Sequence, residues 1–327
     1  MELPGALGLF FLTAIAVTAA GITLAIAGDV IALRTGWGRL WVGSLLIAGA
    51  TSLPELVTTV TAVRIEAPAL AAGNVLGSNM ANMSILALVV ALLGERQLFQ
   101  RLLPQQGLLA AFAIALTGMA TLFAALRPEA EWLGVSLPAV ALIGGYVVAS
   151  RILHRYGAGI PDLEAPVASR SLRWGWIVFG ISAAAIFVAA PFLAFSAQRI
   201  AELTGIAESF MGVLALAFVT SLPEMATTVT AFRMGAGDLA IAGIYGSNTF
   251  NIGILGVADL FYTQGSLFSN LDQSHVTAGL FALLLIGLGT VQLLLRWPLK
   301  RFYLIEPGSL GMVALYLLGI FLVFRMS

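Results

Sequence analysis

About ten apolar segments of roughly 20 to 25 residues follow one another along the 327-residue chain, and their length limits what it can fold into. Each segment is long enough to cross a hydrocarbon layer of about 30 Å as a helix, which satisfies its own backbone polar groups. Only 10% of the residues are charged, against about 25% in soluble domains. The sequence therefore predicts an all-α polytopic membrane protein. The predicted spans are 5–27, 38–63, 69–94, 104–126, 132–150, 174–198, 208–232, 238–262, 274–295 and 306–325.

Lysine and arginine are unevenly distributed between the two sides that these spans define. If the N-terminus lies outside, twelve cationic residues fall in the inner loops, and four fall on the outer side. Those four are Arg64, Arg127, Arg199 and Arg325. Because inner loops carry the excess of positive charge, we expect both termini on the non-cytoplasmic side of a plasma (inner) membrane.

Several classes of site are disfavoured by composition. The chain has no cysteine, which excludes disulfides and thiolate metal sites, and its two histidines lie near segment ends. The cations are scattered between apolar segments, so we expect no nucleic-acid partner. The first segment has no basic stretch before it and no clear cleavage site, and it is interpreted as a span rather than a signal peptide.

A pair of sequence blocks occurs twice in the chain. Ala50–Glu55 and Gly77–Asn82 return 169 residues later as Val219–Glu224 and Gly246–Asn251, with no insertion between them. Roughly twenty of the 36 positions that begin at Thr51 match their partners. The sequence therefore predicts two related halves.

Five predicted spans in each half make the second half cross the membrane in the opposite direction to the first. The predicted domains are an N-terminal repeat at 1–150, a cytoplasmic linker at 151–173 and an inverted C-terminal repeat at 174–327. In this architecture, substrate sites lie near the membrane midplane between the repeats, and broken helices supply ligands.

Polar groups within each copy are spaced to share a helix face. The members of each pair stand four positions apart; the pairs are Thr51 with Glu55, Ser78 with Asn82, Thr220 with Glu224, and Ser247 with Asn251. Carboxylates at membrane depth are costly and are functional by default. We also expect helix breaks at two prolines and at two glycines that precede serine. These residues are Pro54, Pro223, Gly77 and Gly246.

The ligands that these residues offer are all oxygen atoms from carboxylates, amides, hydroxyls and main-chain carbonyls. Such a set suits Ca²⁺ or Na⁺ better than zinc, copper or iron, and Mg²⁺ prefers to keep its water. We therefore expect transported cations and no bound cofactor.

The paired motifs Thr-Ser-Leu-Pro-Glu and Gly-Ser-Asn, in two inverted copies on ten spans, resemble the cation/calcium antiporter superfamily, most closely its prokaryotic sodium/calcium exchanger branch. The resemblance implies a midplane cluster of cation sites and two helices, the first and sixth, that slide across the remaining core. It implies calcium ligands at Glu55 and Glu224 with main-chain oxygens of Thr51 and Thr220. It implies flanking sodium ligands at Ser78, Ser247, Ala48 and Ala217, a central position with Asn82 and Asn251, and ion passages lined by Ser52 and Ser221.

This chain departs from the family pattern at two places. Many members carry aspartate at one or both of the positions that Asn82 and Asn251 occupy here. The second copy has Ala242-Gly243 where the first has Gly73-Asn74. Without a third acid, two glutamates balance one Ca²⁺ or two Na⁺, and a third Na⁺ would leave a net positive charge in a low dielectric.

The expected function is a secondary antiporter, not an enzyme, that exports Ca²⁺ in exchange for Na⁺ by alternating access at one shared site. A close alternative couples Ca²⁺ or another divalent cation to H⁺. A passive channel is disfavoured because duplicated half-sites suit alternation. A membrane enzyme with paired glutamates as acid and base is disfavoured because no nucleophile-base set accompanies them. The expected partners are Ca²⁺, Na⁺ and the lipid bilayer, with no obligatory protein partner.

Overall fold

The computed structural model describes residues 1–35, 48–93, 104–132, 135–157, 170–233, 237–295 and 307–327. The helices are α1 (Leu3–Thr35), α2 (Ala48–Thr51), α3 (Leu53–Arg64), α4 (Pro68–Leu93), α5 (Pro104–Leu126), α6 (Leu137–Gly157), α7 (Leu172–Thr204), α8 (Glu208–Met211), α9 (Ala217–Thr220), α10 (Leu222–Arg233), α11 (Gly237–Phe261), α12 (Gln273–Leu295) and α13 (Pro307–Met326). A π-helical segment, Gly212–Leu216, joins α8 to α9.

Within the described ranges, seven helices are long and apolar enough to cross a membrane. They are α1, α4, α5, α6, α7, α12 and α13. The segments Glu208–Thr220 and Leu222–Arg233 meet at an angle of 44° and together form a candidate for an eighth span. Of the two other predicted spans, 238–262 coincides with α11, and the first residues of 38–63 lie outside the described residues.

The connection before α6 differs from the prediction. Strands β1 (Glu131–Trp132) and β2 (Val135–Ser136) form a short antiparallel ribbon, and α6 begins only at Leu137. The fifth span therefore starts later than the predicted 132, because those residues pair as strands. The helix then continues to Gly157, so the first seven residues of the predicted linker 151–173 are helical.

Helices α1 and α7 form a long antiparallel pair. Each has 33 residues, or about 50 Å of helix, which exceeds the hydrocarbon thickness of about 30 Å, so the pair either tilts or extends beyond the hydrocarbon layer. The hydroxyls of Thr23 and Ser182 lie 2.8 Å apart between them. Their outer faces expose large apolar side chains such as Phe11, Ile15 and Val188, which a hydrocarbon environment accommodates.

Helices α4 and α11 carry the repeated Gly-Ser-Asn blocks and pack against each other in the centre of the fold. In the apolar window of α4, 83% of the residues are buried, against 22% in α13, which lies at the periphery. Helix α4 also contacts α12, α13 and the π-helical segment. Polar groups on α4 and α11 are therefore shielded from lipid by other helices.

The predicted helix breaks at Gly77 and Gly246 are wrong, because α4 and α11 run through these positions without interruption. Gly77 serves close packing instead. A Cβ atom at this position would lie 2.5 Å from the carbonyl oxygen of Val213 in the π-helical segment. The glycine thus permits contact between two backbones, which its position in the sequence alone does not distinguish from a break.

Replacing Gly77 with alanine should destabilise the folded protein by about 1 to 3 kcal/mol, because the added methyl group must separate α4 from the π-helical segment. Gly243→Ala is the matched control, since a Cβ there meets nothing within 4 Å and alanine favours helix. The measurement is the thermal unfolding temperature of both variants in detergent. Equal unfolding temperatures would show that the close contact is not needed.

Candidate cation site

Two helix breaks lie beside the repeated prolines. Helix α2 ends at Thr51 and α3 begins at Leu53, while α9 ends at Thr220 and α10 begins at Leu222. The residues between them are Ser52 and Ser221. Each proline is the second residue of its new helix, where a missing N–H costs little because no partner exists for it.

The glutamates occupy the third position of the helices that follow these breaks. Glu55 belongs to the first turn of α3, and Glu224 belongs to the first turn of α10. Helix N-termini stabilise negative charge through their free N–H groups and the helix dipole. The prolines and glutamates therefore place each carboxylate where the backbone favours it.

The two halves exchange contacts at the carboxylates. Ser52 donates a hydrogen bond of 2.9 Å to Oε1 of Glu224, and Ser221 donates one of 3.4 Å to Oε1 of Glu55. Glu55 is 0% exposed and Glu224 is 2% exposed. The serine at each break thus contacts the carboxylate of the other half, and both glutamates belong to one buried cluster.

Four asparagines form a second set of crossed contacts. Asn82 Nδ2 donates to Asn248 Oδ1, and Asn251 Nδ2 donates to Asn79 Oδ1, both at 3.0 Å. Asn79 Nδ2 donates to the main-chain carbonyl of Asn248 at 3.2 Å and to Thr117 Oγ1 at 3.3 Å. Asn79 and Asn248 were not predicted as site residues. Their recurrence in both Gly-Ser-Asn blocks is the signal that points to them.

Six buried oxygen atoms of the predicted site have no hydrogen-bond partner among the described residues. They form three pairs related by the 169-residue offset. The atoms are Oε2 of Glu55 and Glu224, Oγ of Ser78 and Ser247, and Oδ1 of Asn82 and Asn251. Buried polar atoms in folded proteins are nearly always paired, and leaving one unpaired costs about 1 to 3 kcal/mol. Six such oxygens together form a donor set suited to a hard cation.

The remaining predicted ligands lie one turn before the breaks. The carbonyl of Ala48 accepts from the backbone N–H of Ser52 at 2.9 Å, and that of Ala217 accepts from Ser221 at 3.1 Å. Thr51 and Thr220 are buried, and the Thr51 hydroxyl donates to the Ala48 carbonyl at 3.2 Å. The single hydroxyl hydrogen of Thr220 has three alternative acceptors, which are the carbonyls of Leu216 at 3.1 Å and Ala217 at 3.4 Å and Oδ1 of Asn74 at 3.3 Å. A carbonyl oxygen has two lone pairs. At Ala48 both accept hydrogen bonds, whereas at Ala217 one is available when the Thr220 hydroxyl donates to Leu216 or Asn74.

Asn74, in the first half of the chain, links three helices, and the second half has no equivalent side chain. Its Nδ2 donates to the hydroxyls of Thr58 and Thr59 on α3, and its Oδ1 accepts from Thr220 on α9. The equivalent residue in the second half is Gly243, which has no side chain. The departure noted in the sequence therefore makes the two halves structurally unequal.

No described lysine, arginine or histidine forms a salt bridge with Glu55 or Glu224. The two carboxyl groups belong to one cluster, because each accepts a hydrogen bond from the serine three residues before the other. Burying an uncompensated charge costs several kcal/mol even after the protein relaxes. A cluster with two carboxylates and unpaired neutral oxygens therefore favours occupancy by positive charge.

Comparison with known proteins agrees with this chemistry. The sequence profile of the family described as "Sodium/calcium exchanger protein" matches residues 5–153 and 174–326. The sodium/calcium exchanger MaX1 of Methanosarcina acetivorans is 28% identical over 84% of this chain and 87% of its own length. The inner membrane protein YrbG of Escherichia coli is 27% identical over 75% of this chain and 76% of its own.

The fold is similar to that of solved structures of the sodium-calcium exchanger NCX_Mj. One of these superposes with a TM-score of 0.63 at 20% identity and covers 98% of both chains. The predicted resemblance is thereby confirmed. The chain belongs to the sodium/calcium exchanger protein family, a group of multi-pass membrane transporters within the cation/calcium antiporter superfamily.

Proposed function

We propose that this protein exchanges Na⁺ for Ca²⁺ across the membrane at one shared site and exports calcium. The observation that carries the proposal is the set of six unpartnered, buried oxygens, two of which belong to carboxylates that lack a described cationic partner. None of these oxygens has a hydrogen-bond partner among the described residues. A desolvated cation can bind several of them at once.

The proposed calcium ligands are the carboxylates of Glu55 and Glu224, with main-chain oxygens of Thr51 and Thr220. The proposed sodium ligands add the hydroxyls of Ser78 and Ser247, the amide oxygens of Asn82 and Asn251, and the carbonyls of Ala48 and Ala217. Because Ca²⁺ and Na⁺ need the same two carboxylates, one ion set excludes the other. Competition for the site therefore couples the movement of Na⁺ down its gradient to the movement of Ca²⁺ in the opposite direction.

The charge of the proposed ligands bears on how many Na⁺ ions are exchanged for each Ca²⁺. Two carboxylates are neutralised by one Ca²⁺ or by two Na⁺, and Asn82 and Asn251 add no charge. A third Na⁺ would leave an uncompensated positive charge in a buried site, which is costly. The donor set therefore favours two sodium ions for each calcium ion.

The proposed architecture is ten spans arranged as two inverted repeats, 1–150 and 174–327, joined by a cytoplasmic linker at 151–173. It is supported by the crossed contacts, in which Ser52 and Ser221 each reach the other half. Both termini are proposed to face away from the cytoplasm of a plasma membrane. Alternating access would proceed by sliding of the long α1 and α7 pair, whose α1 packs directly against α10.

A proton-coupled divalent cation antiporter is the second candidate. Two neighbouring buried carboxyl groups favour it, because each can bind a proton and proton binding would displace a cation. In that case Glu55 and Glu224 would carry both substrates.

Proteoliposomes loaded with Na⁺ and diluted into sodium-free buffer should take up ⁴⁵Ca²⁺, because outward sodium movement releases the shared ligands for calcium. Vesicles loaded with K⁺ are the control, and an imposed pH gradient is a separate arm. Uptake that ignores internal sodium but follows the pH gradient would establish the proton-coupled candidate instead.

Glu55→Gln and Glu224→Gln should each reduce exchange by about two orders of magnitude or more, since an amide of the same shape removes half of the charge that holds Ca²⁺. Glu202→Gln is the matched control, because its side chain is 46% exposed and pairs with Arg199 at the surface. The measurement is sodium-dependent ⁴⁵Ca²⁺ uptake per folded transporter. Full activity of either buried variant would remove the site assignment.

Ser52→Ala should raise the apparent KM for Ca²⁺ by about tenfold, because it removes a hydrogen bond that positions the Glu224 carboxylate. Ser221→Ala should raise it less, because its hydrogen bond to Glu55 is 3.4 Å rather than 2.9 Å long. Initial rates of uptake over a range of calcium concentrations give both values. The opposite order would show that the crossed bonds do not position the carboxylates.

A further inference from the structure

A cavity of about 330 Å³ lies between the C-terminal end of α3 and the C-terminal end of α11, and none of the candidate cation ligands lines it. Arg64 and Glu66 line it on the side of α3, and Phe261, Tyr262 and Gln264 line it on the side of α11. Within the described ranges, neither Arg64 nor Glu66 takes part in a salt bridge. Two opposite charges therefore face one cavity without being paired.

The guanidinium group of Arg64 is placed by an aromatic ring rather than by a carboxylate. It lies 4.7 Å from the centroid of the Phe261 ring, which is the distance of a cation–π contact. Such a contact needs no hydrogen bond from the guanidinium group. The N–H donors of Arg64 are therefore available to an anion, and their planar arrangement matches a phosphate group in two parallel hydrogen bonds.

Glu66 occupies a backbone position that usually belongs to glycine. Helix α3 ends in a Schellman motif, in which the N–H of Ala67 donates to the carbonyl of Ala62 at 2.9 Å and the N–H of Glu66 donates to that of Val63 at 3.2 Å. The φ angle of Glu66 is 61°, a left-handed conformation that residues with a Cβ atom rarely adopt. The residue 169 positions later is Gly235. Ending the helix therefore does not call for glutamate, and its carboxylate has a use in the cavity.

The side of the cavity formed by α11 adds neutral acceptors. The Tyr262 hydroxyl lies 3.4 Å from Oε1 of Gln264, to which it donates. A carbonyl-type oxygen has two lone pairs, so Oε1 of Gln264 can accept a second hydrogen bond. Together with the Glu66 carboxylate, these oxygens suit a primary ammonium group, which has three N–H donors.

We propose that this cavity binds the headgroup of a phospholipid that carries a phosphate and a primary ammonium group, as phosphatidylethanolamine does. The phosphate contacts Arg64, and the ammonium group donates to Glu66 and Gln264. The side chains of Leu260 and Phe261 beside the cavity are 49% and 41% exposed, so apolar surface for the acyl chains adjoins the two charges. In the proposed ten-span arrangement both helices end here, at the depth of the headgroups.

The same contacts should distinguish this headgroup from two others. Phosphatidylcholine has a trimethylammonium group, which has no N–H to donate to Glu66. The aromatic contact that favours such a group is already made by Arg64 on the Phe261 ring. Phosphatidylglycerol has the phosphate but no ammonium group, and Glu66 repels its net negative charge.

The test is native mass spectrometry of the delipidated protein in detergent, which gives the Kd of the first bound lipid. We expect phosphatidylethanolamine to bind about tenfold more tightly than the other two lipids. Arg64→Gln should weaken all three by about tenfold, and Glu66→Gln should remove only the preference for phosphatidylethanolamine. Arg127→Gln and Glu129→Gln are the matched controls, because both side chains are exposed and neither lines the cavity.

Glu66→Gly separates a ligand role from a role in ending the helix. Glycine adopts the left-handed conformation without steric cost, so this variant should unfold at an equal or higher temperature and still lose the lipid preference. A lower unfolding temperature with the preference intact would show that Glu66 serves only the helix end.

Glycerophosphoethanolamine, which has the headgroup and no acyl chains, distinguishes a lipid from a soluble zwitterion. We expect it to displace the lipid only at much higher concentration, and displacement at equal concentration would overturn the assignment to a lipid. Equal Kd values for the three lipids in the wild type, or equal losses in the control variants, would overturn the site itself. Because the assay measures no ion movement, its result is independent of the proposed function.

Discussion

The structure depends on two carboxylates that are buried in the membrane-spanning core without a described cationic partner. Glu55 and Glu224 are held at the first turns of helices that begin beside them, and serines from the opposite halves donate to one oxygen of each. These interactions lower the cost of burying charge and do not abolish it. The second oxygen of each carboxylate remains available, and the surrounding helices supply neutral oxygens rather than countercharges.

The crossed arrangement also makes the site depend on both halves of the chain. Each half supplies a carboxylate and the serine that contacts the carboxylate of the other half, so neither half forms a complete site alone. A relative movement of the halves must alter both crossed contacts together.

The duplicated halves are not equivalent in detail. Asn74 joins α3, α4 and α9 in one half, and Gly243 leaves the equivalent position without a side chain. Thr117 accepts a hydrogen bond from Asn79, and Ile286 stands at the equivalent position in the other half. Two positions that the repeat makes formally equivalent therefore have different hydrogen-bond partners.

The sequence by itself determined the apolar helices, the duplicated motif and the residues that bear its oxygens, because helix formation and the cost of buried charge follow from residues close together in the chain. It also indicated that the chain breaks near Pro54 and Pro223. The tertiary structure alone decided that α4 continues through Gly77, that residues 131–136 form a ribbon, and that Asn79 and Asn248 contact the other two amides. The ribbon depends on backbone pairing of Glu131 with Ser136, which these residue types do not specify, and the other two features depend on contacts between residues more than 100 positions apart.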